Sequence, residues 1–63
     1  MTPAEYKAAI KQLGLTQHQA ALWLGVSERT GQKYAIKGPP LSVALLLRLM
    51  IRFGLKPQDV ADG

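Results

Sequence analysis

Apolar side chains recur along this chain at spacings of three and four. Tyr6, Ala9, Ile10 and Leu13 make one such run, and Val43, Leu46, Leu47, Met50 and Phe53 make another. A 3.6-residue period places each set on one helical face, and no segment shows the strict alternation of a strand. Polar residues and glycines mark the boundaries. Thr2-Pro3-Ala4-Glu5 carries a capping box, with proline at the first helical position, where its missing N–H is no loss. A first helix is therefore expected over about residues 3–13, stopped by Gly14. Thr16 and Gln19 form a second capping box, Gly25 ends that helix, and Ser27 can cap the next. These signals predict helices over about residues 17–24 and 28–37. Gly38-Pro39-Pro40 then breaks the chain. A fourth helix is predicted over about residues 40–53, with Gly54 at its stop and Leu55 as the hydrophobic contact of a Schellman-like ending. Residues 57–61 can add a short turn. In the fourth helix Val43, Leu46, Leu47, Met50 and Phe53 are predicted to meet the core. Leu45 and Leu49 lie beside Arg48 and Arg52 on the other side. The expected fold class is all-α, a single compact domain over residues 1–63 with four to five helices.

Size and chemistry narrow the function. A chain of 63 residues buries only about 60% of the surface its unfolded form exposes, which leaves one modest core and little room for a deep catalytic pocket. The apolar fraction of 48% is too high for a disordered chain. There is no cysteine, hence no disulfide framework and no thiolate metal site. His18 is the only histidine, a poor metal ligand on its own, and reads as exposed surface. No nucleophile, base and acid can be assembled from these residues. An enzyme is not expected, nor a cofactor or metal. The apolar run from Val43 to Ile51 is broken by Arg48 and too short to cross a bilayer. Met1 leads into a capped helix with no secretory signal, so the expected location is cytoplasmic, nucleoid-associated when bound to DNA.

Charge placement points to a polyanion. Net charge is +4, and from Arg29 to Lys56 there are six basic residues and no acid. A basic domain focuses positive potential. Two helices joined by the three-residue turn Gly25-Val26-Ser27 must cross steeply, which is a helix-turn-helix, and its second helix most often meets the DNA major groove. On that reading Glu28, Arg29, Gln32 and Lys33 point outward, while Gly31 and Tyr34 point inward. Arg29 can bond guanine O6 and N7, Gln32 can bond adenine N6 and N7, and Glu28 can accept from the amino group of cytosine. Each such pair is worth about 1–3 kcal/mol of discrimination. Lys33 and Lys37 suit phosphates. Gln17 opens the second helix, whose N-terminal N–H groups favour a phosphate, and Thr16 and Gln19 can add neutral hydrogen bonds there. The plain alternative for each of these residues is a solvated helix face, and Glu28 can equally complement the helix dipole.

The segment resembles the helix-turn-helix of the Cro and lambda-repressor-like (XRE-type) family. Leu15, Thr16, Gln17, Ala21, Leu24, Gly25, Val26, Ser27 and Tyr34 match its usual wording. The resemblance implies a bundle of four or five helices that binds operator DNA, usually as a symmetric dimer on a palindrome. It implies base contacts at Glu28, Arg29 and Gln32 and a phosphate contact at Gln17. Ala21 would hold the site where the two helices touch and only a small side chain fits. Three departures stand out. Gly31 replaces a buried Val or Ile, at a helix-propensity cost of roughly 1 kcal/mol. Leu22 and Trp23 replace exposed polar residues. Ala20 replaces a larger apolar one. Trp23 is expected to turn inward and occupy the volume that the small residues leave.

The fourth helix carries an apolar surplus. Leu41, Leu45 and Leu49 share a face with Arg48 and Arg52. Either the first helix or the C-terminal turn covers that face, or it is a homodimer seam formed by Leu41, Leu45, Leu49 and Arg52. Self-association through this helix is the expectation, since a dimer adds the burial a short domain lacks. The reading as a whole is a sequence-specific, repressor-like regulator of transcription on double-stranded DNA. The rival from another class is a protein-binding module, or a DNA-binding antitoxin with a toxin partner, using Leu22, Trp23 and the leucine-rich fourth helix as its contact face.

Overall fold

Reciprocal caps start the first two helices. At α1 (Pro3–Gln12) the Thr2 hydroxyl oxygen accepts from the Glu5 N–H at 3.1 Å, while a Glu5 carboxylate oxygen accepts from the Thr2 N–H at 2.8 Å. The Thr2 N–H, and after it the Thr2 side chain, favour the charged carboxylate and hold the Glu5 carboxyl below its usual pKa. At α2 (Gln17–Leu24) Thr16 and Gln19 repeat the arrangement at 3.1 and 3.0 Å. Ser27 caps α3 (Glu28–Lys37), its hydroxyl oxygen accepting from the Thr30 N–H at 3.1 Å. The break at Gly38-Pro39-Pro40 turns the chain by 82° into α4 (Leu41–Arg52), and α5 (Pro57–Ala61) follows. The computed structural model describes residues 1–61, and among these every regular element is a helix.

Two boundaries shift from expectation. The first helix ends at Gln12, with Leu13 as its C-cap, and the fourth runs from Leu41 to Arg52. Pro40, expected inside, is extended at φ −65°, ψ 162° and serves as the N-cap. Phe53 leaves helical geometry at φ −99°, ψ 8°.

The core is built mostly from small residues around one large ring. Tyr6, Ala9 and Ile10 of α1 meet Ala20, Ala35 and Leu47, one from each of α2, α3 and α4. Met1, Leu13, Leu15, Trp23, Tyr34, Val43 and Ile51 pack around this cluster. Helix α1 is the hub, touching α2, α3 and α4, while α2 packs on α3. Alanine faces let the helices approach closely, and Tyr6 fills the space where they converge. Its ring meets Tyr34 edge to face, with centroids 5.9 Å apart and planes at 83°. Such pairs add about 0.5–1.5 kcal/mol beyond the burial itself.

Helix α4 buries Ala44, Leu47 and Met50, with Val43 and Leu46 half-buried beside them. Phe53 does not join them and is 64% exposed, contrary to expectation. The reason lies in the spacing. Each step of three residues falls about 60° short of a full turn. By the third step from Ala44 the side chain has rotated off the buried side. No single helix is long and apolar enough to cross a membrane.

One buried group lacks a partner. Tyr6 is fully inaccessible, and its hydroxyl makes no hydrogen bond. Burial, reinforced by Tyr34, raises its pKa above the ordinary phenol value. Replacing Tyr6 with Phe keeps the ring and removes a desolvated hydroxyl. Urea denaturation should show stability unchanged or raised by up to about 1 kcal/mol. The pH dependence has a definite sign. The folded state holds this phenol neutral to higher pH than the unfolded chain does. Its contribution is therefore complete below about pH 10 and is lost as pH rises through the raised folded pKa. Tyr6→Phe should lose less stability than the wild type above that point.

Candidate nucleic-acid interface

The corner between α2 and α3 is set by backbone geometry. Gly25 takes a left-handed φ of 75°, where a Cβ would be strained. The Val26 N–H donates to Ala21 O at 3.0 Å and the Gly25 N–H to Leu22 O at 3.2 Å, which closes the end of α2 as a Schellman motif. Ser27 then caps α3, so no residue separates the turn from the next helix.

Gly31 explains how closely the two helices lie. A Cβ built on Gly31 would stand 2.8 Å from the Ala21 Cβ. No real pair of side chains sits so close, so a Val or Ile at this position would push α3 away. Helix α3 nevertheless runs unbroken, with the Gly31 N–H bonded to Ser27 O at 2.9 Å. The glycine that looked like a weakness in α3 is the device that seats it against Ala21.

Seating that face aims the opposite one outward. Gly31 and Ala35 are buried and Tyr34 is half-buried, while Arg29, Gln32, Lys33 and Lys37 are exposed. With Thr30 and Ile36 they line an open depression along α3. Ile36, 73% exposed among these cations, was not singled out from the sequence. Its position four residues past Gln32 and three past Lys33 was the available signal. Gln17 is exposed at the start of α2, beside Thr16, whose oxygen serves the cap.

Glu28 has a neighbour that spacing does not announce. Its carboxylate lies 3.2 Å from His18 Nδ1, across the corner from α2. An Nδ1–H there donates to the carboxylate. Both side chains are about three-fifths exposed, so the contact adds little stability, but it links Glu28 at the start of α3 to α2. His18 is surface, as expected, yet it is tied to a candidate base-contacting residue.

Trp23 turns inward, half-buried against the core, and its indole N–H donates to Pro57 O at 3.1 Å. It thus ties α2 to α5. Leu22 stays 67% exposed. Of the contact face in the rival reading, Leu22 is thus open, while Trp23 is half-buried with its indole N–H bonded to α5. Leu41, Leu45, Leu49 and Arg52 are all exposed, and neither α1 nor α5 covers them. Among the described residues no group of His, Asp or Glu could hold a metal ion.

No protein family, curated protein or solved structure matches this chain.

The Gly31–Ala21 contact can be tested by stability. An alanine at position 31 gains about 1 kcal/mol of helix propensity but overpacks a site where both Cβ atoms are fixed to backbone, at about 1–3 kcal/mol. Gly31→Ala should be net destabilising in urea, and adding Ala21→Gly should recover most of the loss. A more stable Gly31→Ala protein would mean that this contact does not set the helix spacing.

Proposed function

We propose that this chain is a sequence-specific, repressor-like regulator that binds double-stranded DNA, with α2, the turn and α3 acting as a helix-turn-helix and α3 entering the major groove. The observation that carries the reading is the division of α3 into two faces. Gly31, Tyr34 and Ala35 turn inward, and Arg29, Gln32, Lys33 and Lys37 turn outward with no acid after Glu28. A helix with a short, capped approach can insert such a face between two phosphate ridges. Arg29 and Gln32, near the start of α3, supply bidentate donors to guanine and adenine edges. Lys33, Lys37, Gln17 and Thr16 hold phosphates and fix the register. Ile36 offers an apolar surface that suits a thymine methyl. Glu28, beside His18, accepts from the amino group of cytosine. The likeness of Thr16–Tyr34 to Cro and lambda-repressor-like proteins supports the same assignment. One copy would cover one half-site, and a palindrome would be read by two copies with their α3 helices about 34 Å apart.

The test is selection of bound duplexes from a random pool at physiological salt. The expected result is an enriched sequence. On it, Arg29→Ala should cost about 1–3 kcal/mol and relax preference at one base pair. Lys33→Ala should weaken all sequences equally and flatten the logarithmic salt dependence by about one. If no sequence is enriched, or if duplex affinity is insensitive to salt, the proposal is wrong.

A further inference from the structure

The fold leaves one side of α4 uncovered. Leu41, Leu45 and Leu49 recur every four residues and are 70%, 50% and 53% exposed, and Phe53 continues the series at 64%. Steps of four advance about 6 Å along a helix and rotate about 40°. The four side chains therefore form one slanting ridge about 18 Å long. This ridge is not spare core, because α4 already meets the core through Ala44, Leu47 and Met50 on its other side. Covering the ridge would remove this apolar surface from water, which favours association.

Charge indicates what covers it. Arg48 and Arg52 are exposed on the same side, and the Arg52 guanidinium lies over the Phe53 ring, 5.8 Å from its centroid. No acid occurs between Glu28 and Asp59, so α4 and its approach bring no carboxylate to this face. Glu5 of α1 feels Arg48 and stays ionised, but each copy would then set that one carboxylate against two guanidinium groups. Two copies packed through α4, in any register, would gather four guanidinium groups at a seam to which α3 residues after Glu28 and α4 add no counter-charge. Desolvating unpaired cations opposes that association. A surface with its own carboxylates meets both demands.

We propose that the outer face of α4 docks an acidic amphipathic helix of a partner protein, with Leu41, Leu45, Leu49 and Phe53 receiving its apolar anchors and Arg48 and Arg52 pairing with its flanking carboxylates. An apolar ridge on one helix fits anchors spaced at i, i+3 or i+4, and i+7 on another. Opposite charge at the edge sets which partners are accepted. This departs from the homodimer seam expected from the sequence. It is independent of the DNA reading, since none of these six residues belongs to the α3 face.

The test uses two synthetic helical peptides with identical leucine anchors, flanked by glutamates in one and lysines in the other, and fluorescence anisotropy against the intact protein. The glutamate peptide should bind at least about tenfold more tightly. Leu49→Ala should weaken it, and Arg48→Glu with Arg52→Glu should reverse the preference toward the lysine peptide. Loss of folding cannot produce such a reversal. Equal binding of the two peptides, or binding of neither, overturns the proposal. So does a wild-type dimer in sedimentation that Leu49→Glu dissociates, which would assign the ridge to a second copy. A double charge reversal that lowers duplex affinity while leaving both peptides unaffected would assign the arginines to phosphates instead.

Discussion

The close approach of Gly31 to Ala21 is the constraint on which the rest of the structure depends. With no Cβ on one helix and a single methyl on the other, α2 and α3 lie nearer than branched side chains would allow. That distance fixes the rotation of α3. Gly31 and Ala35 must then face inward, and Arg29, Gln32 and Lys33 must face out. The same closeness requires a tight exit from α2, which the left-handed Gly25 and the Ser27 cap provide. A wider crossing would need a larger residue at position 31 and a different turn.

Small contact residues leave the core few large side chains, and this has consequences across the chain. Tyr6 fills the centre with its hydroxyl unpartnered, a group tolerated there because its ring is what the site needs. Trp23 compensates for the small residues of α2 by turning inward, and its indole N–H reaches Pro57 O. That bond draws α5 against the end of α2 where the sequence offers only a short turn. A chain of this length cannot enclose every apolar residue it carries. The remainder is concentrated on the outer side of α4, beside two arginines. Two faces thus stay open, one polar and basic on α3, the other leucine-rich on α4. On the readings proposed above, the first meets DNA and the second meets protein.

Local signals set most of what could be read from the residues alone. Caps, glycine stops and the proline break act over four to six residues, and each helix formed where they placed it, to within a residue. The periodic face of α1 was legible for the same reason, since Tyr6, Ala9 and Ile10 are fixed by helical repeat. Phe53 was misassigned because the wheel extends a face indefinitely, whereas a packed helix buries only the arc its neighbours cover. The contact of His18 with Glu28 was not legible, because it joins two helices ten residues apart across a corner.

Composition and order along the chain thus determined the all-helical architecture, the helix limits and the segregation of positive charge. These follow from backbone hydrogen bonding and side-chain period, which need no distant partner. The tertiary structure alone decided that Gly31 sets a helix spacing, that Trp23 serves α5, that His18 meets Glu28, and that the leucines of α4 remain uncovered. Each of these depends on a distance between residues far apart in the chain, and such distances exist only once the helices are packed.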